Sequence, residues 1–156
     1  MIPHKEEMRI YAKTIPTYGT EDLSIRFQAK NSTGSSLTKG QAIYIVELDE
    51  NSVPLVDLAK SDSLDTMPCS GLVANDIGVG EIGEVVLLGF FQNIPTDAFS
   101  ENELVYVSES TAGSLTNIQP AVAQAIGYVA SDNVVFVESA MCSSLLHLPD
   151  NLQELD

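Results

Sequence analysis

The side chains most capable of chemistry in this 156-residue chain are a run of carboxylates, two cysteines and two histidines. Asp57, Asp62, Asp65, Asp76, Glu81 and Glu84 lie close together in sequence, and a carboxylate pair can move protons or hold calcium. Their spacing matches no EF-hand loop and their positions fit turns, so loop acidity is the expected reading. Cys69-Ser70 after Pro68 could suggest a self-splicing nucleophile, but that chemistry needs a positioned base. His4 and His147 stand in opposite tails without a supporting motif. Two cysteines do not make a four-ligand zinc site of the usual kind. Cys69 and Cys142 are read either as buried free thiols or, for Cys142 in its tail-like segment, as an intersubunit disulfide. There is no Ser-His-Asp arrangement, phosphate-binding glycine loop or nucleotide fingerprint. No catalytic, cofactor-binding or metal-ligating residue is assigned, and no cofactor is expected.

The elements that would position these residues are strands. From Gly71 to Thr116 a small-residue strand (Gly71–Ala74) meets a polar turn at Asn75-Asp76, then a connection punctuated by Gly78, Gly80 and Gly83. The apolar run Val85–Phe91 is too short for an ordinary helix between such turns and reads as a strand buried on both faces. Leu104 and Tyr106 then alternate with Val105 and Val107, and Ala112-Gly113-Ser114 turns the chain back to Leu115-Thr116. Upstream, Leu23, Ile25 and Phe27 alternate with polar residues, and Ala42–Val46 with Val53–Ala59 reads as a hairpin. Pro54 suggests an edge strand. Residues 60–66 suggest a short helical turn capped by Ser61 or Ser63. Asn31-Ser32-Thr33 fits a glycosylation sequon and is read as turn chemistry, since no secretory signal accompanies it.

The strands repeat. LTKGQAIYI (37–45) resembles FSENELVYV (99–107) at an offset of 62; GLVAND (71–76) matches GYVASD (127–132) at 56; VVLL (85–88) matches VVFV (134–137) at 49. Two related halves that cannot bury their apolar strands alone imply one interlocked unit. The expected fold is all-β, a single antiparallel barrel or sandwich-like domain over residues 21–138. An N-terminal arm (1–20) and a C-terminal tail (139–156) flank it. Met8, Ile10 and Tyr11 in the arm, and Leu145, Leu146, Leu148, Leu152 and Leu155 in the tail, are the candidate partner-binding residues. A lone strand in the arm needs another sheet to pair with, and the tail leucines act as a clasp on this barrel or in a partner's groove.

The net charge is −15, with all seven Lys and Arg (Lys5, Arg9, Lys13, Arg26, Lys30, Lys39, Lys60) in the first sixty positions and fourteen acids after them. Nucleic acid and anionic membrane surfaces repel such a chain, so neither is expected as a partner. No apolar run approaches the ~20 residues of a membrane span, and MIPHKEEMRIYAK lacks the apolar core of a signal peptide.

In their order, NSTGSSLTKGQAIYI, MPCSGLVANDI, VVLLGFF, TDAFSENELVYVS, TAGSLT and AIGYVA resemble a module of tailed-bacteriophage virion proteins, over roughly residues 31–137. One departure falls at Asn102-Glu103, where the module often has glycine-aspartate, so the turn before Leu104 could be built differently. The resemblance implies a non-enzymatic virion structural protein, made in the host cytoplasm. The expected role is capsid decoration (cement) or head-fibre type, bridging neighbouring subunits, with the major capsid protein or other virion proteins as partners and a homotrimer as the assembly. The alternative it implies is a tail-fibre or host-surface carbohydrate-recognition module. Sugar platforms favour exposed aromatic rings, and here Trp is absent while the five Tyr and five Phe mostly fall in expected strands or the N-terminal arm.

Overall fold

A computed structural model describes residues 23–139. The arm expected at 1–20 and the tail expected from 139, Ser139 excepted, lie outside the described residues, as do Met8, Ile10, Tyr11, Cys142 and the five tail leucines. The described chain is all-β, with nine strands in one sheet system. They are β1 (Ser24–Asn31), β2 (Ala42–Leu48), β3 (Pro54–Leu58), β4 (Gly71–Val73), β5 (Ile82–Gln92), β6 (Leu104–Val107), β7 (Leu115–Thr116), β8 (Ala125–Ser131) and β9 (Val134–Glu138). A single 3-10 turn, Leu64–Thr66, is capped by Ser63, whose hydroxyl accepts from the Asp65 amide.

The first five strands close into a barrel in the cyclic order β1-β3-β2-β4-β5. Closure removes the exposed edges that any open sheet would leave. It is made by two contacts of β1: a parallel pairing with β3 at Lys30–Leu55 and Asn31–Val56, and a long antiparallel pairing with β5. The barrel therefore contains one parallel pair and is built by the first half alone, whereas the repeat suggested that both halves would interlock in one antiparallel ring. β3 is consequently interior to the ring rather than at an edge. Pro54 is tolerated because it is the strand's first residue.

The remaining strands continue from β5 as an open sheet, β5-β9-β8-β6-β7. β5 is long enough to serve both. Gly89 pairs with Ser24 of β1 and with Val137 of β9, and Val85 pairs with Phe27 of β1 and with Val73 of β4. Hence β4 and β9 lie end to end on one edge of β5, opposite β1.

The register shows the repeat to be structural. Ile43 pairs with Gly71 and Val105 with Gly127; Ala42 pairs with Leu72 and Leu104 with Tyr128. β4 against β5 places Val73 opposite Val85, and β8 against β9 places Val129 opposite Val135. Val85 thus corresponds to Val135, one residue later than the string match VVLL/VVFV implies. By the same logic β5 plays in the second unit the part that β1 plays in the first, since Phe27–Val85 corresponds to Phe91–Val135. The two units share a strand.

Side-chain alternation divides the core accordingly. Ala29, Ile43, Val56, Val73 and Val85 point into the barrel and are fully buried. Their neighbours Ala42, Leu72 and Val86 point out of it, yet are equally buried, because Val105, Val129, Val135 and Phe91 of the open sheet cover them. Burial of each such Val or Leu contributes about 1.5–3 kcal/mol, which holds the open sheet against the barrel wall.

Candidate functional site

The residues with chemical potential are placed in structural roles. Asp62, Asp65, Asp76, Glu81 and Glu84 are exposed and Asp57 half-buried. Asp76 Oδ1 accepts from the Lys39 amide at 2.9 Å, Glu84 faces Arg26 at 3.4 Å and Asp62 faces Lys60 at 3.1 Å. Among the described residues no three His, Cys, Asp or Glu side chains converge as metal ligands would. The Asn31 side chain is buried; its Nδ2 donates to Ser35 O at 2.8 Å and Ile77 O at 2.9 Å. A nitrogen so engaged is closed to glycosylation in the folded chain, and the sequon is turn chemistry.

Cys69 is 1% exposed. Loss of solvation pushes its thiol up to about 12, against the lowering effect of hydrogen bonds at Gly71 and Ile43. A thiol that remains protonated is a poor nucleophile, which disfavours the autoprocessing reading. Its backbone is gripped by Gln124: Gln124 Oε1 accepts from the Cys69 amide at 2.8 Å, and Nε2 donates to Cys69 O at 2.9 Å and to Ser139 O at 2.8 Å. Gln124 is itself buried, so one amide side chain ties the strand entering β4 to the end of β9.

Two surfaces remain unfilled by the described residues. The first lies on the outer face of the open sheet. Phe90, Phe136, Tyr128 and Leu104 are register neighbours across β5, β9, β8 and β6, so their side chains form one row. Phe90 and Phe136 meet edge to face with centroids 4.8 Å apart, and Tyr128 stacks on Phe136 at 5.4 Å. Phe90 is 38% and Leu104 44% exposed. In the first unit the corresponding positions Val86, Leu72 and Ala42 are covered by the second unit; here the row faces outward. The run Val85–Phe91, expected to be buried on both faces, thus leaves Phe90 exposed, because no strand of the second unit covers its outer face as that unit covers the first. Only the register, which places Phe90 and Phe136 on the outer face, could have located this row.

The second surface is the open end of the barrel. Phe27 near the start of β1, Ile45 towards the end of β2, Pro54 at the start of β3, Ser70 before β4 and Leu87 late in β5 surround a cavity of about 480 Å³. Parallel β1 and β3 start at this end, and β2 and β5 run toward it, so the cavity is the barrel mouth.

No model of a protein family matches this chain, and no curated protein does. Among solved structures the chain shows similarity to a phage protein. It is the N base of head fiber gp8.5 in bacteriophage phi29, 13% identical, with a TM-score of 0.46 over 75% of this chain and 97% of that one.

Proposed function

We propose that this chain is a non-enzymatic structural protein of a bacteriophage virion, of capsid-decoration or head-fibre type, attached through apolar contacts to other virion proteins. The virion assignment comes from the ordered sequence module between residues 31 and 137. The attachment mode is carried by the row Phe90–Phe136–Tyr128–Leu104. A sheet that leaves four large apolar side chains in register on its outer face is suited to a partner. Tyr128 and Phe136 stack on each other and Phe90 meets Phe136 edge to face, so the stacked pair turn one ring face each toward the other. Sugars stack on free ring faces, so the row suits a protein surface better than a carbohydrate. Glu138, on the same face beside Leu88, and the absence of Lys and Arg after residue 60 call for a partner with a basic rim. A homotrimer is the assembly in which we expect the chain to act.

The test is co-sedimentation with mature capsids that lack the protein. Saturable binding is expected for the full chain, with at least about tenfold weaker binding after Phe90→Ser and Leu104→Ser together, since central apolar contacts dominate interfaces. Binding to tails, host cells or glycans in place of capsids would replace this reading with the fibre alternative.

A further inference from the structure

Half of β2 has a partner strand on one side only. β4 pairs with it at Ala42 and Ile43, and the Ser70 amide donates to Ile43 O. Beyond that point, from Tyr44 to Leu48, no described strand lies on the β4 side, while β3 pairs with the other side as far as Pro54. The side chains of this free stretch are unlike those of a protected edge. Ile45 is 40%, Val46 48% and Leu48 58% exposed, where folded chains usually place lysine or proline. A bulge between Ile45 and Glu47 adds one residue opposite β3, and bulges at sheet edges re-aim side chains. The cavity at the barrel mouth opens beside this edge, with Ile45, Pro68, Ser70 and Leu87 among its walls. Its amide and one hydroxyl are already engaged, Gln124 by Cys69 and Ser139, and Ser139 by Leu87 O, so the lining offers mainly carbon surface. Charge on the hairpin has one sign: from Ala42 to Ala59 there are Glu47, Asp49, Glu50 and Asp57, and no Lys or Arg. Two copies meeting edge to edge would crowd these carboxylates together, which disfavours self-pairing.

We propose that the free half of β2 receives an extended segment of a partner protein as an added strand. The segment carries lysine or arginine near Glu47, Asp49 and Glu50, and at least one apolar side chain that enters the cavity. Main-chain hydrogen bonds supply the affinity of such an addition, and the cavity and the carboxylates supply its selectivity. This edge is separate from the aromatic row on the open sheet. That the partner is a virion protein rests on the function proposed above; the site itself rests on β2.

The probe is a short peptide alternating valine and lysine, blocked at both ends and titrated into isotope-labelled full-length protein. Amide shifts in the NMR spectrum are expected at Tyr44–Leu48. The affinity should exceed by at least about tenfold that of the same peptide N-methylated at alternate residues, which cannot pair, and that of its valine–glutamate analogue. Val46→Thr/Leu48→Thr should weaken binding by about tenfold while preserving the strand, since threonine suits a β-strand. Equal binding of the N-methylated peptide would overturn strand addition, and equal binding of the glutamate analogue would overturn the basic partner. The absence of saturable binding up to about 1 mM peptide would overturn the site. Self-association of the protein alone that shifts the same amides, and is lost in the double threonine variant, would overturn the proposal by giving the edge to a second copy. The titration needs no capsids, so its failure and that of the virion reading are separable.

Discussion

Gly71 and Gly127 are the residues on which both units turn. A β-carbon on Gly71 would lie 2.4 Å from Val86 O, and one on Gly127 would lie 2.0 Å from Phe136 O. The two oxygens are equivalent positions of the repeat, so the same close approach of strand to strand was built twice. Gly127→Ala should therefore destabilise the fold by about 3 kcal/mol, at the upper end for a steric insertion into a packed site. Gly34→Ala, with open space around it, should fall within about 0.5 kcal/mol of the parent in the same urea titration. Cys69 makes a prediction of opposite character. Its folded-state pKa of about 12 exceeds the ordinary thiol value of 9.0, so above pH 9 the unfolded thiol ionises while the folded one does not. Stability should fall as pH rises from 9 towards 12, by at most about 1.4 kcal/mol per unit. Cys69→Ala should remove that part of the alkaline slope in denaturation curves measured across the range.

The turns entering β2 and β6 show what could be learned from the sequence and what could not. In the first, the Gly40 amide donates to Val73 O at 2.8 Å, and Gln41 Oε1 accepts from the Thr38 amide. In the second, the Asn102 amide donates to Val129 O at 2.8 Å, and Glu103 Oε1 accepts from the Ser100 amide. That bond, with a further one from Asn117, holds the Glu103 carboxyl below its usual range. Gly40 and Asn102 both adopt positive φ, 89° and 68°, so Asn102 reproduces the glycine turn that its identity left in doubt. Asn tolerates this conformation and β-branched residues do not. Asn102→Gly should be nearly neutral and Asn102→Val should lower stability by about 1–2 kcal/mol, as thermal melts can show. Strand positions were legible because Leu104-Val105-Tyr106-Val107 alternates and Gly or Asn marks its start. The closure by β1 and β3, the one-residue correction at Val135 and the outward row at Phe90 were not, because each depends on pairings between distant strands that local periodicity does not encode.

At the scale of the whole molecule, the proposed docking would draw on charge and apolar surface together. The fourteen acids and absent Lys and Arg after residue 60 should favour the approach of a basic partner. Association with capsids should slow by about tenfold between low and high salt, while dissociation, set by the apolar row, changes little; surface plasmon resonance separates the two rates. Attachment is further constrained by where the chain enters and leaves. Leu23 joins the fold at Phe90, on one edge of β5, and the Ser139 hydroxyl faces Leu87 O at 3.3 Å on the other. Entrance and exit are therefore three residues apart along a single strand. The molecule resembles a peg with one root and is no strap anchored at two ends. If the segments before Leu23 and after Ser139 grip neighbouring subunits, the gap they can cross is not set by the barrel at all but by the length of those segments. The folded body stands off to one side, free of tension from whatever its root holds together.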